Sequence, residues 1–148
     1  MLDGANADEI QDLLDREAIR ELPVRYCHHV WRNEPEKMVE LFADDCVFDD
    51  REAGSLCSGT GRVVGRADLL AAYRRSMGPQ PSKPFIHNHV VTLEGPDRAT
   101  GTCYLDLRMP HRPDAEPIIG WYDDVYVKVD GRWLFAERHA TLLGDVSP

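Results

Sequence analysis

The chain lacks most of the features that mark a specialised class of protein. Its 148 residues contain four cysteines, Cys27, Cys46, Cys57 and Cys103. They form no CxxC pair, and no Cys/His spacing matches a zinc site. Free thiols in a reducing cytosol are the expectation, with no metal and no cofactor. No apolar run approaches the roughly 20 residues of a membrane span. Met1–Asp8 has neither the basic segment nor the apolar core of an export leader, so a cytoplasmic location is expected. No basic run is longer than Arg74–Arg75, and the net charge is −9. That balance argues against nucleic acid and anionic membranes as partners. Repeats, linkers and low-complexity tracts are missing too. The expectation is one domain over residues 1–148, with 1–8 as a loose N-terminal arm.

What is present is a change of period. Apolar residues recur at threes and fours through Ile10, Leu13, Leu14, Ile19, Leu22, Tyr26 and Val30, which predicts helix. Pro23 interrupts that pattern and predicts a kink or two short helices. Asn33-Glu34-Pro35 starts a second helix to about Ala43, and Gly65 precedes a third over about Arg66–Met77. A short strand lies at 46–49, followed by a Gly- and Ser-rich loop over 50–61. From Phe85 the period is two. Strands are predicted over about 85–94, 98–109, 118–129 and 132–143, with turns at Glu94-Gly95-Pro96-Asp97 and Asp130-Gly131. This is an α+β pattern: a cone-shaped, curved antiparallel sheet covered by three helices and enclosing an apolar cavity.

Several segments resemble the SnoaL-like branch of the nuclear transport factor 2-like superfamily. They are Arg16-Glu17-Ala18-Ile19-Arg20 through Tyr26-Cys27, Leu41-Phe42-Ala43-Asp44-Asp45-Cys46-Val47-Phe48, Gly61–Arg66, Phe85–Val91, and Gly120–Asp124 with Asp130–Trp133. The resemblance implies the same cone-shaped fold and relatives such as scytalone dehydratase, polyketide cyclases and steroid isomerases. It also implies an Asp/His acid–base pair, but this chain has Trp31 and Pro84 at those positions. A dyad copied from those relatives is therefore not expected.

The remaining candidates follow from strand alternation and from the resemblance. His87 and His89 share one strand face and Ile86 and Asn88 the other, so Ile86 and Asn88 are expected to face the cavity. Either histidine pair faces outward, or Pro84 or a bulge turns His87 inward as a substitute base. His111 matches, by resemblance, a second cavity histidine, and Asp50 a cavity tyrosine; each is otherwise a solvated loop or strand-end group. Tyr26 is core or a donor to a ligand oxygen. His28 shares a helix side with Trp31, which narrows the pocket, stacks on ligand or plugs it. Phe85 is a further ligand contact. Alternation through Trp133, Phe135 and Glu137 puts His139 on their face and Arg138 on the other. Arg138 holds an oxyanion or forms a surface salt bridge.

Two functions are expected. One is a cofactor-independent lyase or isomerase acting by general acid–base chemistry on an apolar carbonyl- or hydroxyl-bearing compound, with Asp50, His111, His87 and Tyr26 as its groups. The other is a non-catalytic ligand-binding or accessory subunit that has lost the dyad. An apolar small molecule and a homodimer or homotrimer are the expected partners.

Overall fold

Asp3 opens the first helix, its carboxylate accepting from the Asn6 amide at 2.9 Å. A computed structural model describes residues 3–50 and 61–143, and of Asp50 the backbone alone. Helix α1 runs unbroken over Gly4–Trp31. Residues 4–8 are therefore helical rather than a loose arm, and Pro23 lies inside one helix rather than between two. Ile19, Leu22, Pro23, Tyr26, Cys27 and Val30 are buried at spacings that keep one face on the sheet. That continuous burial outweighs the roughly 3 kcal/mol cost of an internal proline.

Helix α2 is short, Pro35–Val39, and α3 covers Arg66–Ser76. The strands are β1 (Phe42–Asp50), β2 (Arg62–Val64), β3 (Lys83–Leu93), β4 (Arg98–Arg108), β5 (Ile118–Val129) and β6 (Arg132–Leu143). Helix α2 ends early because the Leu41 carbonyl already accepts from the Phe135 amide of β6, which draws Phe42 into the sheet. The loop expected over 50–61, with Cys57, lies almost wholly outside the described residues.

The six strands form one curved, unclosed sheet in the order β2-β1-β6-β5-β4-β3. β1 and β6 run parallel, which corrects the expectation of a wholly antiparallel sheet; the other neighbours are antiparallel. A long crossover through α3 and the β3–β5 meander separates β1 from β6, so parallel pairing needs no tight turn. The Asp130-Gly131 turn has φ of 50° and 78°, as a two-residue hairpin requires. No described helix is long and apolar enough to cross a membrane.

Two bulges reset which side chains face the helices. On β3, His87 pairs with Tyr104 and Val90 with Thr102, so Asn88 and His89 together face Cys103 alone. Asn88 takes up the extra residue at φ 46°. On β6, Phe135 pairs with Tyr126 but Glu137 with Val125, leaving Ala136 as the additional residue. Below both bulges the faces are exchanged relative to an unbroken count.

The core lies between α1 and the concave face of the sheet. Phe42, Phe48, Phe135 and Tyr126 are fully buried there, with Ile19 and Met38 from the helices. Burial of each such side chain contributes on the order of 2 kcal/mol. Arg16 fixes the helix to the sheet by donating to the Val91 carbonyl at 2.8 Å. Asp15, buried on α1, accepts from Trp133 Nε1 at 2.9 Å and from Lys128 Nζ at 3.1 Å. Burial pushes its carboxyl up, but these donors and Gln11 outweigh it and hold it below the usual range.

Candidate functional site

A cavity of about 280 Å³ opens between α1, α3 and the β4–β6 end of the sheet. Its walls are mostly apolar, with Val30, Met38, Leu107, Ala140 and Leu142 among them. Tyr26, Tyr73 and Tyr122 line its inner part, and the Tyr26 and Tyr73 hydroxyls stand 2.9 Å apart. They come from α1, α3 and β5, so the packing of both helices against the sheet is what assembles them. His111, in the segment after β4, also lines the cavity. Among the described lining residues it is the sole imidazole, and there is no carboxylate.

Several expected site residues lie elsewhere. Trp31 does not plug the cavity: it is exposed, with its indole packed edge-on against Phe85 at 5.3 Å and its Nε1 donating to the Pro84 carbonyl at 2.8 Å. The two positions at which the resemblance implies an acid–base pair are thus in contact, but through an indole and a backbone carbonyl. Phe85 faces outward beneath the Arg108 guanidinium rather than toward ligand. His28 is exposed beside His29. His87 is exposed and pairs with Asp106 at 2.9 Å, well away from any role as a base in the cavity. Asn88 is exposed at the bulge and does not reach the cavity; the left-handed backbone it adopts turns it out. The Asp50 side chain lies outside the described residues, although its backbone pairs with Ala140 of the cavity wall.

The β3 bulge turns His89, not His87, inward. Its Nε2 lies 3.0 Å from the Tyr126 hydroxyl, which donates to Asp124 Oδ2 at 3.1 Å. Since the tyrosine proton is committed to Asp124, His89 must donate through Nε2–H, which fixes its tautomer. Burial, then Arg138 and Arg20, push the His89 imidazole down to about 4. Gly101 leaves room for this contact, since a Cβ there would stand 2.8 Å from the Val90 carbonyl and 3.2 Å from the Tyr126 hydroxyl.

Arg138 is neither a surface salt bridge nor a direct oxyanion clamp. The β6 bulge at Ala136 puts it on the Phe135 face, where it is fully buried. Its Nε is 3.3 Å from Asp124 Oδ1, and its guanidinium carbon lies 3.6 Å, 4.4 Å and 4.5 Å from the ring centroids of Tyr122, Tyr26 and Phe135. Burial opposes its charge, but Asp124, Cys103 and the tyrosines outweigh it and the net direction is upward. Burial pushes Asp124 up to about 6, against the pull of Arg138 and Tyr126. The ionised pair is the form the geometry favours, because a neutral carboxyl would leave the Arg138 cation buried without compensation. Sequence reasoning missed this network, although Tyr122, Asp124 and Tyr126 alternate on one face of β5.

Among the described residues, no group of histidines, cysteines and carboxylates is arranged to hold a metal. Cys27 and Cys103, beside Arg138, are pushed up to about 12 by burial and stay thiols.

The same fold recurs in proteins of low sequence identity. LinA is 18% identical over 92% of this chain and 90% of its own, with a TM-score of 0.78. A scytalone dehydratase candidate from Novosphingobium aromaticivorans is 21% identical over 95% and 93%, with a TM-score of 0.74. A nuclear transport factor 2-like protein with a cystatin-like fold, from the same organism, is 25% identical over 97% and 92%, with a TM-score of 0.76. No curated protein sequence matches the chain. The SnoaL-like domain model matches residues 11–139, and the chain belongs to that family.

Proposed function

We propose that the protein binds a small, mostly apolar compound bearing an oxygen function. The observation that carries this reading is the cavity of about 280 Å³ with the Tyr26–Tyr73 hydroxyl pair set in apolar walls. Ligand sites are commonly about 300–1,000 Å³ with a few polar groups that fix orientation, and this one lies at the small end of that range. Thermal unfolding against a panel of steroids, polyketides and terpenoids tests it. A ligand at 100 times its Kd adds about 2.7 kcal/mol of stability, and Ala140→Phe, which fills the cavity, removes that gain. No shift with any compound counts against the reading.

A second reading is a lyase or isomerase, favoured by one observation: His111 lines the cavity. It would move a proton next to a carbonyl, with Tyr26 orienting the oxygen. Two proteins of the same fold, the scytalone dehydratase candidate and a hexachlorocyclohexane dehydrochlorinase, support elimination as the reaction type. Under this reading His111→Gln lowers turnover about 100-fold or more and leaves ligand affinity unchanged. Turnover that survives the substitution removes His111 from the chemistry.

A further inference from the structure

Behind the inner wall of the cavity lies a charge that no described lining residue carries. Arg138 has no exposed side-chain area, and its guanidinium lies against the rings of Tyr122 and Tyr26, both of which line the cavity. The compensating carboxylate is set back from it. Asp124 meets Arg138 through Oδ1, while its Oδ2 accepts from Tyr126, farther along β5 from Tyr122. The pair is a dipole with its positive end toward the cavity.

Among the described residues, no second carboxylate offsets that charge. Arg138 Nε and Nη1 make no hydrogen bond among the described residues. Among the described residues, the other titratable groups near it, beyond Tyr122 and Tyr26, are Cys103 of β4, Cys27 of α1 and His89 of β3. All three are neutral at pH 7, because burial holds the thiols protonated and the imidazole unprotonated. Asp123 and His139 flank Asp124 and Arg138 in sequence and take the opposite, outer side of the sheet. A cation stacked on an aromatic ring draws density from it, and in a weakly screened interior its field reaches beyond the ring.

On the small-molecule reading above, we propose that Arg138 is a specificity-determining residue of the cavity. Acting through the Tyr26 and Tyr122 rings, it selects compounds whose oxygen is anionic, phenolates and enolates, over their neutral isosteres. When such a ligand ionises in place, its O–H bond breaks and the proton leaves to bulk water. The oxyanion stays at the inner wall, facing the positive end of the pair.

Para-nitrophenol and para-nitroanisole, matched in shape but differing in the ionisable oxygen, are the probes. The wild-type protein should bind the phenolate at least about tenfold more tightly than the neutral phenol, which lowers the bound probe's pKa by about one unit, read from phenolate absorbance. In Arg138→Met/Asp124→Asn, which removes both charges and keeps an acceptor for Tyr126, the preference should vanish with para-nitroanisole affinity unchanged. Equal wild-type affinity for phenolate and para-nitroanisole overturns the proposal, whether or not the double variant folds, and leaves the cavity reading standing. A phenolate preference that persists in the folded double variant overturns the role of Arg138. Binding of neither probe overturns this proposal, while the cavity reading falls only if the ligand panel fails as well.

Discussion

Asp124 and Arg138 are direct partners in the β5–β6 ladder, and their side chains meet at 3.3 Å with no exposed area on either. Removing one member leaves a buried charge, whereas removing both does not. Asp124→Asn or Arg138→Met alone should each cost about 3–5 kcal/mol. The double variant Arg138→Met/Asp124→Asn should cost clearly less than the sum of the singles. Chemical denaturation midpoints measure all three, and additive losses would mean the pair is not coupled.

His89 gives the fold a sensitivity to acid. Its folded-state pKa, about 4, lies below its ordinary 6.5, so the folded chain binds the proton less well than the unfolded one. The stability from neutral His89 is present above pH 6.5 and is lost as pH falls from there toward 4. Asp124 works in the opposite sense over part of the same range, so the comparison with His89→Gln isolates the imidazole. Between pH 7 and pH 4 the wild type should lose on the order of 2 kcal/mol more than His89→Gln, discounted for the partial exposure of the ring. Parallel stability curves would show that His89 is not the group responsible.

The β3 bulge depends on a left-handed residue at position 88. Asn88→Gly should leave stability within about 0.5 kcal/mol, since glycine adopts that backbone freely. Asn88→Val should cost about 1–2 kcal/mol, because a β-branched side chain meets the backbone there. Urea unfolding of both variants decides it, and a tolerated valine would mean the bulge is not set by this residue.

Gly101 is the matching constraint on β4. A methyl group there would press on the Val90 carbonyl and the Tyr126 ring and hydroxyl. Gly101→Ala should cost about 2 kcal/mol and weaken the His89–Tyr126 contact. The check is denaturation together with the titration of His89 by NMR, whose imidazole should move back toward its ordinary value. A neutral substitution would show that the sheet yields at this point.

The elements were legible in the sequence because their signals are local. The period of two from Phe85 located the meander, Asp130-Gly131 located the hairpin, and Gly65 stood just before α3. The faces were less legible, since one extra residue exchanges them all and alternation cannot register it. This is why alternation alone sets Arg138 on the face opposite Phe135, and Asn88 toward the cavity. One clue was available: counting back from the Asp130-Gly131 turn without a bulge would set Asp124 opposite Glu137. Two carboxylates face to face are unfavourable, and a slip of one residue replaces that clash with the Asp124–Arg138 pair. Pro23 misled in the other direction, because the packing of α1 on the sheet decides its continuity and the local sequence does not show it.

The parallel partnership of β1 and β6 also bears on synthesis. β6 sits in the middle of the sheet, between the first strand and the fifth, and is the last strand of the described chain. It supplies Phe135, Arg138, Ala140 and Leu142 to the interior and the cavity wall. A nascent chain leaving the ribosome can form its helices and the β3–β5 meander early. β1 must wait, without its neighbour on one side, for a strand some 90 residues downstream, as the Asp49–His139 pairing shows. Until β6 arrives, two strand edges stay open and Asp124 has no counter-ion. The interval before β6 is released is therefore when unpaired strand edges leave this chain most open to misassociation.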